Sequence, residues 1–337
     1  MFDYDVVIVG AGLSGLLAAK RLMQASLSVK ILEARGRIGG RILSVHEGDF
    51  DLGPTWFWDN QPYIRRLMDE LEVEAYEQYE TGLGIFDRGA EMLPQRFAPP
   101  EMPISYRMVG GMQQLVDKLA AGLLTDTVLS NTAVSTITLN NNTIIVETPS
   151  GHYRAQQVIV TLPPRLTAAT VQFSPELPTN VTAAMQETQT WMGQAMKAVL
   201  VYKRPFWREA GLSGLAVSYV GPVQQFHDAT PADAHIGALF GWLGNQSAGR
   251  SLSLAQRQEA VIKQATRLFG SEAQAPLHYA ELNWAAEPFT TNGRSLLSPE
   301  AEHPQYGHLL LQQPQMAGRL HWASTEVSTV NGGYLDG

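Results

Sequence analysis

The first forty residues alternate short apolar runs with glycine-rich and polar stretches, in an order that predicts a strand, a loop, a helix and a second strand. Residues 6–9 are four β-branched residues in a row, which is typical of a buried strand. Residues 16–23 carry apolar side chains at helical spacing, and residues 29–32 form a second apolar run. The chain therefore opens with a predicted parallel βαβ unit.

The loop between the first predicted strand and the helix reads GAGLSG, and the second strand ends at an acid. This is the dinucleotide-binding pattern in its required context. The first glycine permits a tight turn, the second lets the backbone approach a pyrophosphate at the helix N-terminus, and the third lets helix and strand pack closely. The alternative is an ordinary glycine-rich turn. The nucleotide-binding candidates are Gly10, Gly12, Leu13, Ser14, Gly15 and the ribose-binding Glu33.

The apolar pattern of the remaining chain predicts a mixture of helices and strands. Helical spacing of apolar residues predicts helices over 64–71, 113–123 and 253–269. Alternation predicts strands over 133–139 and 143–148, joined by a turn of three asparagines, and a further strand over 157–162. Residues 191–202 alternate in the same way. The elements together indicate an α/β protein.

Composition narrows the class of protein. A chain of 337 residues is long enough for two domains, and 45% hydrophobic with 17% charged residues is typical of a globular protein. The net charge of −8, without a basic run, argues against nucleic acid as a partner. No apolar run reaches roughly 18 residues, and the first strand begins within five residues of the N-terminus. We therefore expect no membrane partner, no signal peptide and a cytoplasmic location.

The absence of cysteine excludes disulfides, cysteine-ligated metals and a thioether-linked cofactor. The eight histidines are scattered and form no metal-binding motif, so we expect no metal site. The sequence leaves open whether the chain forms a homo-oligomer.

The residues after Glu33 suggest which nucleotide is bound. The segments EARGRIGGR, residues 33–41, and DLGPTW, residues 51–56, resemble the signature of flavin-containing amine oxidases. The resemblance continues in order through nearly the whole chain, and it is closest to the monoamine oxidase and polyamine oxidase type. It implies an α/β fold with a Rossmann-type FAD-binding domain and a smaller substrate cap of mixed β-sheet and helices. Without cysteine, the FAD is expected to be non-covalent.

The resemblance also implies which residues contact the FAD. Val134 matches a backbone contact to the adenine, while the other positions match loops near the phosphates and the flavin. These candidates are Ala34, Arg35, Gly39, Gly40, Arg41, Gly53, Pro54, Thr55, Trp56, Val134, Trp284, Glu326 and Gly333.

Three residues resemble the catalytic positions of the family. Lys197 shares one face of an alternating strand with Val199 and Val201, where an ammonium group is unfavourable without partners. Its segment resembles the one that carries the flavin-facing lysine of monoamine oxidases, which holds a water against flavin N5. Tyr334 and Phe289 match the two walls of the family's aromatic cage, and the alternative for each is an ordinary core aromatic.

The resemblance predicts a discontinuous domain organisation. The FAD-binding domain is expected to comprise residues 1–61, 106–166 and 281–337. The substrate-binding cap is expected to comprise residues 62–105 and 167–280.

The implied activity is the oxidation of a small-molecule amine to an imine, with O2 reduced to hydrogen peroxide. One alternative is an FAD-dependent amino-acid oxidase or a desaturase-like enzyme. An amino-acid oxidase needs an arginine for the substrate carboxylate, and Arg204 and Arg208 are available. The other alternative is a non-catalytic flavoprotein subunit. It rests on departures from the family pattern, namely Ser324 in place of glycine, Asn331 in place of tryptophan and a sequence that stops at Gly337, where the family continues into a helix. The 72–105 segment is shorter than the family's cap insertion, so we expect a different substrate scope.

Overall fold

The computed structural model describes residues 2–45, 50–244, 248–291 and 303–337. The α-helices of these residues are α1 (Leu13–Gln24), α2 (Pro62–Leu71), α3 (Gln113–Ala121), α4 (Pro164–Thr170), α5 (Thr179–Glu187), α6 (Phe206–Glu209) and α7 (Leu254–Phe269). The first ten strands are β1 (Tyr4–Val9), β2 (Val29–Leu32), β3 (Ser44–Val45), β4 (Phe50–Asp51), β5 (Phe57–Trp58), β6 (Ala75–Glu77), β7 (Leu83–Asp87), β8 (Gln95–Phe97), β9 (Ser105–Met108) and β10 (Val128–Leu129). The others are β11 (Thr136–Asn140), β12 (Thr143–Thr148), β13 (Gly151–Val160), β14 (Gln172–Ser174), β15 (Met196–Tyr202), β16 (Leu212–Ser218), β17 (Val223–Asp228), β18 (Gly237–Leu243), β19 (His278–Asn283) and β20 (Leu320–Trp322).

The first sheet has the strand order β10-β2-β1-β13-β12-β11-β14, with β20 also paired to β13. Strand β1 lies parallel to both β2 and β13, which confirms the predicted βαβ unit. Helix α1 begins at Leu13, three residues before the predicted start, because its first turn is part of the glycine loop. Strand β13 begins at Gly151, earlier than predicted, because its polar first half pairs antiparallel with β12.

The second sheet has the order β19-β15-β18-β17-β16-β7-β8. Strand β15, which lies between β19 and β18, is buried at all seven positions. On one face, side chains of β15 pack with α7 and with Trp207, Phe226 and Phe269. On the other face, Val199 and Val201 pack against Phe50 and Leu52, from the segment that follows the first βαβ unit. The two sheets together confirm the predicted fold class.

Several elements pack or pair across the predicted domain boundaries. Helix α2, predicted for the cap, buries Ile64, Leu67, Met68 and Leu71 in the core formed with α1 and α3. Strand β14 pairs with β11 of the first sheet, and strand β19 belongs to the second sheet on both sides of residue 281. Strand pairing and the burial of apolar faces decide which domain an element belongs to. Neither can be predicted from amino-acid composition. Residues 292–302 of the predicted 281–337 segment lie outside the described residues.

Among the described residues, no helix combines the length and the apolar character needed to cross a bilayer.

Candidate active site

The glycine loop after β1 is shaped by two steric requirements. Gly10 has a φ of +105°, and a Cβ there would lie 2.6 Å from Thr161 Oγ1. A Cβ on Gly15 would lie 2.1 Å from the carbonyl oxygen of Gly10. Real Cβ atoms do not approach so closely, so helix α1 can start directly against β1 only with glycine at both positions.

The backbone around Gly12 forms an open concave surface, which we call the glycine cradle (residues 10–15 with 39 and 40). Gly39 N donates to Ala11 O at 2.8 Å, which brings the second glycine pair beside the first loop. A Cβ on Gly12 would meet nothing nearer than Gly40 Cα at 4.0 Å. Helix α1 begins here at Leu13 without a side-chain cap, so its first N–H groups point toward the cradle. This arrangement fits a pyrophosphate.

Glu33 lies buried beside the cradle. Its Oε2 accepts a hydrogen bond from Ala11 N at 2.8 Å, and its Oε1 accepts one from Arg35 N at 2.8 Å. A carboxylate oxygen can accept two hydrogen bonds, so each of these oxygens keeps one lone pair for a ribose hydroxyl. Ala34 lies between these two anchored residues and is partly buried.

Arg41 connects the cradle to the C-terminal segment. Its guanidinium binds Glu326 in bidentate fashion, at 2.6 and 3.1 Å, and Glu326 is fully buried. Burial by itself lowers the pKa of Arg41, but the Glu326 carboxylate outweighs burial and raises it. The Ser14 hydroxyl donates to Ala323 O at the same junction. The neighbouring Ser324 Oγ is buried and has no hydrogen-bond partner among the described residues, so a polar group is available beside the cradle.

The 53–56 loop contacts Lys197, which lies more than 140 residues further along the sequence. Lys197 Nζ donates to Gly53 O at 3.2 Å and to Thr55 Oγ1. A Cβ on Gly53 would lie 2.2 Å from Arg41 O, so this loop packs directly against the cradle. Trp284 Nε1 donates to Leu52 O at 2.8 Å and fixes the other end of the loop. The structure thus brings together the loop, the lysine and the tryptophan that the sequence analysis selected.

Lys197 lies in a buried charged environment. Only 2% of its surface is exposed, and burial lowers its pKa to about 7, against the opposing effect of the Asp51 carboxylate. The Arg107 guanidinium lowers the pKa further. Asp51 Oδ1 accepts hydrogen bonds from Ser44 Oγ at 2.6 Å and from Met112 N at 2.9 Å. Burial raises the pKa of Asp51, while Lys197 opposes that shift.

Four rings form a cluster beside the lysine, and we call them the aromatic box. The Lys197 ammonium lies 4.1 Å from the centroid of Phe240, on which the His227 ring stacks at 5.2 Å. Trp56 and Trp242 contact both rings, with all ring centroids 5.0–5.4 Å apart. Burial lowers the pKa of His227 to about 3, so this ring is neutral at pH 7. Its Nε2 has no hydrogen-bond partner among the described residues.

Sequence reasoning missed the three box residues on the second sheet. Strand register pairs Lys197 with Trp242 and His227 with Phe240, so these side chains share one face of the sheet. Their separate positions in the chain give no sign of this, although Phe240 and Trp242 alternate as residues on one strand face do.

Tyr334 and Phe289 do not form the expected aromatic pair. The Tyr334 ring lies parallel to His303 at 4.8 Å and edge-on to Trp58 at 6.0 Å. Phe289 is 38% exposed, and its ring lies 5.6 Å from the guanidinium carbon of Arg35. No ring contact joins the two aromatics within the described ranges. Arg35 also binds the side chains on both sides of Phe289, Glu287 at 3.3 Å and Thr290 at 2.8 Å, which draws this turn toward the cradle.

The remaining candidates have mainly packing positions. Val134 is partly buried beside the core of the first sheet, and Leu13 packs against the helical core. Gly333 has a φ of +84°, and a Cβ there would lie 2.8 Å from the Tyr306 ring. Pro54 is partly buried within the 53–56 loop.

The two arginines considered for a substrate carboxylate are already paired. Arg204 binds Glu209 and Glu272 near the surface. Arg208 binds the fully buried Asp228 in bidentate fashion, at 2.8 and 2.9 Å. Both guanidinium groups therefore already have carboxylate partners within the protein. Among the described residues, no group of histidine, aspartate or glutamate side chains is arranged to hold a metal ion.

Comparison with known proteins agrees with this geometry. Residues 74–337 match the family described as flavin containing amine oxidoreductase, and residues 8–71 match an NAD(P)-binding Rossmann-like domain. The chain is 26% identical to a probable flavin-containing monoamine oxidase A of Dictyostelium discoideum, covering 99% of this chain and 94% of that protein. It is 24% identical to an L-amino acid dehydrogenase of a Synechocystis species, covering 99% and 92%.

Two solved structures show the same fold. A putrescine oxidase bound to putrescine has a TM-score of 0.81 at 22% identity, covering 99% of this chain and 96% of that one. A cyclohexylamine oxidase from Brevibacterium oxydans has a TM-score of 0.82 at 19% identity, with the same coverage. The alignment to the Dictyostelium protein spans 438 positions, more than this chain contains, so that relative carries segments that are missing here.

Proposed function

Because this chain belongs to the family of flavin-containing amine oxidoreductases, we propose that it oxidises a small-molecule amine to an imine with non-covalently bound FAD, and that O2 is reduced to hydrogen peroxide. Water then hydrolyses the imine to an aldehyde or ketone. The observation that carries the proposal is the contact of Lys197 with Gly53 and Thr55, which sets a buried amine beside the cradle and the aromatic box.

The residues of this chain fit FAD along a continuous path. The glycine cradle takes the pyrophosphate on backbone N–H groups, and Glu33 takes the adenosine ribose. Val134 would contact the adenine, and the loop of Gly53, Pro54, Thr55 and Trp56 would hold the flavin end, together with Trp284, Glu326 and Gly333. The chemistry that bound FAD supplies is the acceptance of two electrons from the amine and their delivery to O2.

The protein's contribution is orientation and exclusion of water. The aromatic box is an apolar wall around Lys197, and an apolar site disfavours the ammonium form of a substrate. Tyr334 orients the amine, and the His303 ring stacks parallel to Tyr334 at 4.8 Å and supports it. A charged Lys197 stabilises the negative charge that develops on O2.

The non-covalent binding of FAD is tested by acid precipitation. The chain has no cysteine for a thioether link, so we expect all yellow colour in the supernatant after the protein is precipitated. Colour that stays in the pellet after washing would show another covalent attachment.

The activity is tested by anaerobic bleaching of the flavin with a panel of monoamines, polyamines and amino acids, followed by peroxide measurement after air is admitted. We expect bleaching by a monoamine and stoichiometric peroxide. Bleaching by amino acids alone would favour the second substrate class, that of the Synechocystis relative. A flavin that no compound of the panel reduces would favour the non-catalytic alternative.

A further inference from the structure

Amine oxidation on this protein requires a proton acceptor. Alkylamines titrate near the pKa of a free lysine, about 10.4, so they arrive as ammonium ions at neutral pH. Only the neutral amine offers the lone pair that the reaction consumes. The inference below rests on the proposed function and asks which side chain takes this proton.

Few titratable groups face the lysine and the box. Asp51 on β4 already accepts hydrogen bonds from the Ser44 hydroxyl and the N–H of Met112. Arg107 on β9 donates to Thr230 O at 2.9 Å and does not give up its proton in proteins. His227 on β17, with a pKa of about 3, is too weak a base to take a proton from an ammonium ion.

The hydrogen bonds of Lys197 match a neutral amine. Its Nζ has two oxygen acceptors among the described residues, Gly53 O and Thr55 Oγ1, and no carboxylate pairs with it there. A neutral Nζ has two N–H groups, which these oxygens satisfy, and one lone pair. The ammonium form has a third N–H, and the Phe240 ring, whose centroid lies 4.1 Å from Nζ, offers it an aromatic face.

The energetics agree with this match. Burial, with Arg107, destabilises the charged form of Lys197, whereas Asp51 favours it, and a ring face attracts cations as well. The resulting pKa of about 7 leaves about half of the side chain neutral at pH 7. A base works best when its pKa lies near the working pH.

We propose that neutral Lys197 accepts the proton of the incoming alkylammonium substrate. One N–H bond of the substrate ammonium breaks and one N–H bond forms on Nζ, so that a neutral amine and a lysine ammonium result, and no electrons change hands. The charge that Lys197 gains is then present when O2 accepts electrons, where a positive charge is stabilising. One side chain thereby serves both half-reactions.

The test is the pH dependence of anaerobic flavin reduction in the holoprotein, measured by stopped flow with two amines of different pKa. If the pH of an inflection in the reduction rate differs between the two amines, the inflection reports the pKa of the substrate. If the pH is the same for both amines, the inflection reports a group of the protein. We expect a wild-type inflection near pH 7 that does not move. Lys197→Met and Lys197→Arg should both lose it. Lys203→Met, which changes an exposed lysine six residues further on, should keep it.

The Lys197→Arg variant distinguishes the role of Lys197 as a base from the effect of its positive charge. Lys197→Arg keeps a positive charge but has no neutral form. Its reduced flavin should therefore be reoxidised by O2 faster than that of Lys197→Met. In both variants the amine should reduce the flavin slowly at pH values below the pKa of the amine. Equal pH profiles for the wild type and both variants would overturn the inference.

A second measurement needs neither turnover nor amine. The visible spectrum of oxidised bound flavin should change with pH with a midpoint near 7 in the wild type and in Lys203→Met, but not in Lys197→Met. Thr55→Val, a smaller change, removes one oxygen that stabilises the ammonium and should move the midpoint to lower pH. A midpoint that stays in place in both Thr55→Val and Lys197→Met would contradict the role of Lys197. If no amine reduces wild-type flavin although this titration is seen, the proposed function fails while the lysine still titrates as inferred.

Discussion

The glycine cradle and the aromatic box are built in opposite ways. The cradle uses backbone groups from residues 10–15 and 39–40, which one βαβ unit and the loop after it bring together. The box uses side chains from residues 56, 227, 240 and 242, which lie on three separate segments around Lys197. The first site depends on the absence of side chains and the second on their identity.

Because the two regions are built differently, we expect them to control different properties of the protein. A site made of backbone N–H groups depends little on side-chain identity, because any sequence with glycines at the required positions provides it. A site made of rings and one lysine controls the protonation and fit of a particular substrate. Substitutions in the cradle should therefore change cofactor retention and folding, and those in the box should change chemistry and pH dependence.

The largest expected effect is that of Gly15→Val in the cradle. Its Cβ would lie 2.1 Å from Gly10 O, and both atoms belong to a rigid strand–helix junction. We expect destabilisation by about 3 kcal/mol or more and loss of flavin during purification. Gly89→Ala is the matched control, since a Cβ there meets nothing within 4 Å. Urea denaturation and the flavin-to-protein absorbance ratio measure both effects. A Gly15→Val protein that keeps its flavin would show that the cradle tolerates side chains.

Glu33→Ala tests whether the cradle region needs a specific side chain as well. Removing the carboxylate should weaken FAD binding by about 1–3 kcal/mol, the range of hydrogen bonds to charged groups. Glu33→Gln keeps the shape and one acceptor oxygen and should lose less. Titration of apoprotein with FAD, followed by fluorescence quenching, gives both affinities. Because Glu33 also binds Ala11 N and Arg35 N, circular dichroism must show that both variants are folded. An unchanged FAD affinity in a folded Glu33→Ala protein would remove Glu33 from the ribose site.

Tyr334→Ala tests the aromatic wall beside the substrate. Loss of the ring that lies parallel to His303 should misplace the amine and slow anaerobic flavin reduction ~10–100-fold, with reoxidation by O2 unchanged. Tyr334→Phe keeps the ring and should stay close to the wild type. Stopped-flow absorbance follows the two half-reactions separately. Equal slowing of both half-reactions in Tyr334→Ala would instead indicate a distorted cofactor site.

The smallest expected effect is on the pH dependence of stability. Lys197 has a pKa of about 7 in the folded protein and near 10.4 in the unfolded chain, so the unfolded state binds the extra proton between these values. Stability should therefore rise with pH in this window, by about 1 kcal/mol between pH 7 and 8. Lys197→Met should lack this rise and Lys203→Met should keep it, as measured by urea denaturation at constant excess FAD. An equal rise in both variants would assign the slope to another group.

The sequence predicted those features that short stretches encode. The apolar runs and the GAGLSG loop predicted β2 with its observed bounds and β1 and α1 to within three residues, because strand, turn and helix are contiguous there. The resemblance selected Lys197 and the 53–56 loop separately, and the structure shows that they touch. It paired Tyr334 with Phe289, whereas the structure pairs Tyr334 with His303.

Only the tertiary structure decided the surroundings of Lys197. The sequence by itself determined the βαβ unit, the glycines that must lack a side chain and the apolar strand that carries the lysine. The pairing of β15 with β18, and of β18 with β17, set Trp242, Phe240 and His227 beside it. Register between distant strands depends on the packing of the whole sheet. The pKa of a buried lysine depends on the groups that fold around it, so it follows from the structure and not from the local sequence.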